Sequence, residues 1–236
     1  MPIIKTKGIV LLENSVNDYD KMITMLTPNL GKISCSAKGA RKNKSSLLAS
    51  SQFLCFGEYI LYKNPTSDIY NINSCDIVEV FYELRTDLDK LEGAAELTRI
   101  IRSSTNENEN SEKVLQLFLN TLFVLAKKDL DYELVKAVFQ MRLLTILGYC
   151  PHISNCTECG KTEKLEYFSF KDNGFKCNEC TMGKHEFKMS ETTKNAIMYS
   201  ILADPKKLYS FSIDEDAIKE FKIIADIYLK EKFDWK

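Results

Sequence analysis

Two pairs of cysteines have the spacing of a metal site. Cys156 and Cys159 are separated by two residues, as are Cys177 and Cys180, and seventeen residues lie between the pairs. Each Cys-x2-Cys turn can direct two sulfurs at one ion, and the stretch KLEYFSFKDNGFK predicts a hairpin, turning at residues 172–174, that brings the pairs together. Four thiolates complete a tetrahedral zinc site and leave no position for a catalytic water. The spacing therefore predicts one structural zinc ion per chain.

Other uses of paired cysteines stay open at this point. A thiol-redox enzyme usually carries a single Cys-x2-Cys at the start of a helix, and an iron–sulfur cluster needs no hairpin between its cysteine pairs. His152 and His185 flank the cysteines and are possible substitute ligands, but with four thiols present we expect both to be ordinary surface or packing residues. A zinc module stabilises a fold and does not by itself identify a function.

A second pattern concerns charge. The chain has a formal net charge of -1, yet residues 21–57 contain no Asp or Glu. The cations of this window are Lys21, Lys32, Lys38, Arg41, Lys42 and Lys44. In its middle, GKISCSAKGARKNKSS, glycines and small residues allow the backbone and the lysines to approach a phosphate chain, and a local field of this kind attracts a polyanion despite the mild net charge. The other interpretation is a solvated, charged loop without a ligand.

The first 80 residues must position this basic stretch. Five short runs rich in Ile, Val, Tyr and Phe predict strands: IIKTKGIVLLE, DKMITMLT, GKISCSA, QFLCFGEYILYK and DIYNINSC. Because no helical period separates them, they favour a small five-stranded barrel of the OB type, with the basic stretch between the third and fourth strands. Phe53, Phe56 and Tyr59 are available nearby to stack bases, although their apolar neighbours favour packing in the core.

From about residue 81 the hydrophobic period becomes helical. Helices are predicted in residues 87–104, 112–128, 131–149, 191–203 and 213–231, with Asp131 as the N-cap of the third. The predicted fold is therefore α+β and multidomain. It has an OB-type barrel in residues 1–80 and an α-helical domain in residues 81–236, and the zinc module is inserted at about residues 150–184.

Composition and missing motifs limit the possible functions. A hydrophobic content of 44% and a charged content of 28% are ordinary for a globular protein, and no apolar run approaches the roughly 20 residues that span a bilayer. The N-terminus lacks the order of a signal peptide, so we expect a cytoplasmic protein. The sequence contains no Gly-rich phosphate loop, serine elbow or paired His/Asp motif. We therefore expect neither enzymatic activity nor a nucleotide cofactor.

Five motifs together resemble a known family. They are GIVLL from Gly8, MLTPNLGKI from Met25, KGARKNKS from Lys38, FQMRLLTILGYCP from Phe139 and CTECG from Cys156. In these motifs, and from the N-terminus to about residue 183, the chain is similar to the RecO family of bacterial recombinational DNA-repair mediators. The combination of the KGAR-x-x-KS loop with the LGY-x-P helix end is specific, whereas either alone is weak.

The resemblance implies an OB barrel, a helical domain and an activity without covalent chemistry. The implied activity is binding of single- and double-stranded DNA without sequence preference and annealing of complementary strands. Together with RecR, the protein would also load RecA onto DNA coated by single-strand-binding protein (SSB), in the cytoplasm and in association with the nucleoid. The residues that we assign to DNA contact are Lys7, Lys32, Lys38, Arg41, Lys42 and Lys44.

The family resemblance also implies a site for the C-terminal tail of SSB on the helical domain. An acidic, aromatic tail needs an apolar pocket with a cation at its edge, and Lys136, Phe139 and Arg142 are the candidates. The other interpretation is that Phe139 belongs to the core and that Arg142 bonds to a neighbouring helix.

An alternative function is a protein-interaction adapter in a repair complex that contacts DNA only indirectly. Charge reversal in residues 38–44 separates the two hypotheses, because only a direct DNA-binding protein would lose DNA binding in isolation.

Overall fold

The N-terminal strands close into a barrel in the computed structural model of the protein, which describes residues 3–63, 67–183 and 185–233. The strands are β1 (Ile3–Ser15), β2 (Lys21–Thr27), β3 (Gly31–Ala37), β4 (Phe56–Lys63) and β5 (Tyr70–Glu79). Their order around the barrel is β1-β2-β3-β5-β4. The β3–β5 pair is parallel and the other neighbours are antiparallel. The predicted five-stranded OB-type barrel is confirmed.

The alternating sequence of the strands explains how the barrel is filled. In β3 the residues at odd positions, from Gly31 to Ala37, are buried, and those at even positions are partly exposed. Since side chains of a strand alternate between its two faces, one face of β3 lies on the core. A bulge in β1 between Val10 and Leu12 bends this long strand so that it can pair with both β2 and β4.

Among the residues that the structure describes, three helices complete the first compact unit, residues 1–127. They are α1 (Tyr82–Arg85), α2 (Leu88–Ser104) and α3 (Glu112–Lys127). The β2–β3 turn holds the segment between α2 and α3, because Lys32 N donates to Asn106 O at 3.0 Å and Ser111 N donates to Pro28 O at 2.7 Å. The barrel strands end at Glu79, while the compact unit continues through α3. The division into domains after residue 80 stays a prediction.

The second compact unit, residues 128–236, combines helices with a small sheet. Its elements are α4 (Tyr132–Ile146), β6 (Leu165–Ser169), β7 (Gly174–Cys177), β8 (Glu186–Lys188), α5 (Glu191–Leu202), a 3₁₀ turn (Pro205–Lys207) and α6 (Glu215–Lys232). Asp131 caps α4 as predicted, since its side chain accepts from Leu134 N at 3.1 Å. Within the described ranges, none of the helices has the length and apolar character needed to cross a membrane.

The predicted hairpin between the cysteine pairs is present as β6 and β7, joined through residues 170–173. The strand β8, which the sequence did not suggest, pairs with the other edge of β6. The backbone of His152 extends the hairpin, because its N–H donates to Asn173 O at 2.8 Å and its carbonyl accepts from Phe175 N at 2.9 Å. A Cβ atom at Gly174 would lie 2.4 Å from His152 O, so this approach requires glycine. Residue 184, at the end of the predicted zinc module, lies outside the described residues.

Candidate functional site

The basic stretch lies where it was predicted, in the connection between β3 and β4. Lys38, Arg41, Lys42 and Lys44 are all exposed. Between and after these cations, Ala40 and Leu47 are buried in the hydrophobic core of the barrel. The apolar pair therefore anchors the connection to the barrel while the charged side chains stay in solvent.

The loop has a defined backbone because of Gly39. This glycine has a φ of +67°, a conformation that disfavours a side chain. Two turns follow, in which Lys42 N donates to Gly39 O at 3.1 Å and Ser45 N donates to Lys42 O at 2.9 Å. The cations are thus carried by a folded loop with its own hydrogen bonds.

Asp20 clamps the loop from the turn between β1 and β2. Its Oδ1 accepts from Gly39 N at 2.7 Å. This N–H lowers the pKa of the Asp20 carboxyl, and a hydrogen bond from Asn17 and the charges of Lys38 and Lys42 lower it further. Asp20 directly precedes the acid-free window, so sequence reasoning missed its role. The signal was present as an Asp in a turn, where such residues bond to backbone N–H groups.

Arg41 forms the second connection to the same turn. Its backbone N donates to Tyr19 O at 3.0 Å, and its Nη1 donates to Asn17 O at 2.7 Å. The Nζ atom of Lys42 lies 5.3 Å from the centroid of the Tyr19 ring, within the range of a cation–π contact. The turn at residues 16–20 and the loop at residues 38–44 therefore form one surface, which we call the basic surface.

Within the part of the chain that the structure describes, the cations of the loop in this surface are not engaged in ion pairs. In residues 3–63, 67–183 and 185–233, none of its cations Lys38, Arg41, Lys42 and Lys44 forms an ion pair with a carboxylate. By contrast, the strand residue Lys5 pairs with Glu58 at 3.0 Å. Unpaired exposed cations on a fixed backbone are suited to bind an extended anion.

The other two cations assigned to DNA contact lie on strands. Lys7 is exposed on β1 and stands opposite Glu58 on β4. Lys32 donates from Nζ to Arg102 O at 2.6 Å, near the C-terminal end of α2. Burial lowers the pKa of Lys32, and the charge of Arg102 lowers it further. A phosphate at Lys32 would have to replace an existing hydrogen bond.

The aromatic residues first considered for base stacking are not exposed. Tyr59 is fully buried, and its hydroxyl donates to Ser50 O at 2.7 Å. Phe53 and Phe56 are half-buried. For Tyr59, the expectation of core packing is confirmed.

The four cysteines of the predicted metal site come together in space. The sulfurs of Cys156, Cys159, Cys177 and Cys180 all lie within 4.8 Å of one another, and the Cys159 and Cys177 sulfurs are 3.6 Å apart. Sulfurs arranged tetrahedrally at about 2.3 Å from a zinc ion would be about 3.8 Å apart. The cluster therefore has the size needed to hold one metal ion.

Backbone hydrogen bonds favour the thiolate form of one cysteine in the cluster. Burial disfavours a charged Cys156, but backbone hydrogen bonds from Cys159, Cys177 and Glu158 outweigh it and lower the pKa of Cys156 to about 6. Hydrogen bonds with the sulfurs of Cys159 and Cys177 raise the pKa of Cys180. A metal ion binds the thiolate form of cysteine and displaces its proton. Sulfurs that are close enough to share protons by hydrogen bonds are therefore close enough to bind one cation together. The residues that could hold a metal ion here are the four cysteines, and the side chain of His152 instead contacts Asn155.

Beside the cysteines lies a buried cation that sequence reasoning missed. Lys176 Nζ lies 2.8 Å from Asp172 Oδ2, 3.1 Å from Glu158 Oε2 and 3.2 Å from Glu186 Oε1. The hydrogen bond to Asp172 is the largest of the effects that raise the pKa of Lys176. The single ammonium connects the hairpin turn, the first Cys-x2-Cys segment and β8, and thereby stabilises the module that holds the cysteines.

The three residues of the predicted SSB-tail site lie on α4. Phe139 is fully buried and Lys136 is buried, with its Nζ 3.3 Å from Asp226 Oδ1 on α6. Arg142 is half-buried and donates to Ala203 O at the C-terminal end of α5. These positions agree with the other interpretation, in which Phe139 is a core residue and Arg142 bonds to a neighbouring helix. The tail site itself stays a prediction.

Comparison with known proteins covers almost the whole chain. The family model described as Recombination protein O N terminal matches residues 1–81, and the one described as Recombination protein O C terminal matches residues 85–235. The DNA repair protein RecO of Acetivibrio thermocellus is 39% identical over 99% of this chain and 93% of its own length. The protein of the same name from Caldicellulosiruptor bescii is 33% identical over 98% of this chain and 93% of its own length.

Proposed function

The chain belongs to the RecO family of DNA repair proteins, and on this premise we propose that it is a non-enzymatic mediator that binds DNA through the basic surface. The observation that carries the proposal is the loop of Lys38, Arg41, Lys42 and Lys44, whose exposed cations lack carboxylate partners within the described part of the chain. Contacts of such cations with phosphates release counterions and do not depend on base sequence. Lys7 and Lys32 are secondary candidates, because they lie on strands.

The same surface supports annealing without a nucleotide. Two complementary strands that are held on one set of cations lose part of their mutual repulsion and can pair, with no bond made or broken. In this proposal, RecR is the partner with which the protein promotes RecA loading on SSB-coated single strands. The SSB tail would bind the second compact unit near Lys136 and Arg142. Phe139 would lie beneath this site as a buried residue and would not be an exposed contact.

The metal in this proposal is zinc, bound by Cys156, Cys159, Cys177 and Cys180. Thiolates are soft ligands that select zinc or iron–sulfur clusters over magnesium and calcium, and two Cys-x2-Cys turns on either side of a hairpin are typical of structural zinc modules. With four thiolates the ion would have no open position, so its role is to connect the two turns. Purified protein should contain about one equivalent of zinc, and iron or a disulfide in its place would contradict this assignment.

The DNA-binding part is tested by fluorescence anisotropy with a labelled single strand of random sequence at several salt concentrations. We expect binding that weakens with salt at a slope of about -0.7 per phosphate contact. The double variant Lys42→Glu/Lys44→Glu should bind weakly and with a smaller slope. The matched control is Lys206→Glu/Lys207→Glu, which makes the same change of charge at two exposed lysines of the second unit and should bind as the unmodified protein does.

The adapter hypothesis gives the opposite result in the same experiment. An adapter would not bind the strand even at low salt, and the loop variant would be indistinguishable from the control. Repeating the titration with RecR would then locate the DNA contact in the complex rather than in this chain.

A further inference from the structure

One aromatic side chain of the basic surface is exposed. Tyr19 lies in the turn between β1 and β2, and 58% of its surface is accessible to solvent. The backbone beneath it is fixed, because Tyr19 N donates to Asn17 Oδ1 at 2.8 Å and Tyr19 O accepts from Arg41 N at 3.0 Å. Val16 N also donates to Asp20 O at 3.0 Å and closes the turn. The Tyr19 ring is therefore exposed to solvent on a fixed backbone. The fixed backbone reduces the conformational entropy that is lost when a ligand binds the ring.

The neighbours of Tyr19 are cations of the loop. The Lys42 ammonium lies over the ring, 5.3 Å from its centroid, and the Arg41 guanidinium bonds to the carbonyl of Asn17 in the same turn. A nucleotide combines an anionic phosphate with a flat base. A cation and an exposed ring held side by side match these two parts, and single-strand-binding surfaces combine both elements.

The charge of the turn indicates which part of the nucleotide it would contact. Asp18 and Asp20 flank Tyr19 in sequence, and the Asp20 carboxylate is held by Gly39 N–H at 2.7 Å. Two carboxylates make this turn a poor contact for phosphate, so the lysines of the loop must provide that contact. The exposed part of the turn is then suited to an uncharged, flat partner, and a base is the uncharged part of a nucleotide.

We propose that Tyr19 stacks on an unpaired base while Lys42 and its loop neighbours contact the adjacent phosphates. The inference rests on the proposed function and adds a preference to it. Bases of a duplex are stacked on one another and inaccessible to the ring, so Tyr19 strengthens binding of single strands over duplexes. Sequence reasoning missed this residue because it lies outside the acid-free window, between two aspartates.

The test compares three probes of equal length: a single strand, the corresponding duplex, and an abasic strand that keeps the phosphates but lacks the bases. For Tyr19→Leu we expect single-strand affinity to fall about tenfold, the scale of one lost base–aromatic stack. Affinity for the duplex and for the abasic strand should not change, and the salt slope should be unaltered because no phosphate contact is lost. The matched control is Tyr82→Leu, which removes another exposed tyrosine (67% accessible) of the same unit and should leave all three affinities unchanged.

A second variant reports stacking directly. The only tryptophan of the sequence is Trp235, so Tyr19→Trp in a Trp235→Phe background places the only tryptophan of the variant on the basic surface, where it can be excited selectively over the tyrosines. Its emission should be quenched by the base-bearing strand and not by the abasic strand. Equal quenching by both strands, or equal loss of affinity for both in Tyr19→Leu, would overturn the stacking role.

The outcomes also separate this inference from the function on which it rests. If the unmodified protein binds none of the probes, both fail. If it binds with a steep salt slope but Tyr19→Leu binds the base-bearing strand equally well, then DNA binding stands and only the stacking role is lost. The Tyr19→Trp measurement decides the question if Tyr19→Leu does not fold.

Discussion

Lysines of two regions of the molecule, the module that holds the four cysteines and the basic surface, differ in their contacts. In the cysteine module, Lys176 is buried and surrounded by three carboxylates. In the basic surface, Lys38, Lys42 and Lys44 are exposed, and within the described ranges none of them has a carboxylate in contact. A cation whose charge is satisfied internally holds a fold together, whereas cations left in solvent on a fixed loop are available to a ligand. Residue type alone does not distinguish the two.

The largest effect should come from the cysteine cluster. Replacing Cys177 by Ser removes a buried cysteine of the proposed metal site. Because a structural metal contributes directly to folding, the variant should bind less metal and the module should lose order. Metal analysis and amide hydrogen exchange over residues 150–190 measure these losses. Cys150→Ser is the control, since Cys150 is exposed and not part of the cluster. Full metal content in Cys177→Ser would show that the cluster is not the ligand set.

The second largest effect should come from Lys176, the buried cation beside the cysteines. Lys176→Met leaves Glu186, the buried one of its three carboxylate partners, without its ammonium, and breaking a buried ion pair from one side costs about 3–5 kcal/mol. We expect the protection of the module against hydrogen exchange to fall accordingly. Lys161→Met breaks the exposed pair with Glu179 and should change the protection of the module little, because solvent screens a surface ion pair. Similar losses in the two variants would mean that Lys176 does not differ from a surface cation.

These two regions also show what the sequence could predict. The barrel, the helices and the cysteine cluster were predictable, because alternation, helical period and Cys-x2-Cys spacing are local signals. The partners of Lys176 were not, since Glu186 and Glu158 reach it only after β8 and the first cysteine turn have packed on the hairpin. The clamp on the basic loop was predictable only in part. An Asp in a turn is a local signal for a bond to a backbone N–H, but Asp20 and Gly39 are nineteen residues apart, and only the pairing of β2 with β3 brings them together.

A smaller effect should follow when the loop backbone is changed without changing its charge. Gly39→Ala places a Cβ atom on a residue with a φ of +67°, which costs roughly 1–2 kcal/mol. The loop should loosen, and affinity for a single strand should fall even though every cation remains. Gly39→Asn is the control, because Asn tolerates this conformation better. Anisotropy titrations of both variants measure the difference, and equal affinity of Gly39→Ala and the unmodified protein would show that the fixed loop is not needed.

The smallest effect is a dependence on pH at the clamp. The Gly39 N–H lowers the pKa of Asp20 below its ordinary value of 3.8, so the carboxylate binds the loop more tightly than the neutral acid does. A carboxyl group whose pKa is lowered by folding stabilises the folded state above the pKa of the unfolded chain, and this contribution is lost as the pH falls through the lower, folded value. The Gly39 amide resonance, followed by NMR, should therefore shift at a pH below 3.8, and Asp20→Asn should abolish the shift. A titration at or above 3.8 would mean that Asp20 does not clamp the loop. The loop at residues 38–44 would then be a solvated loop, unlike the module of the four cysteines, which the contacts of Lys176 hold in place.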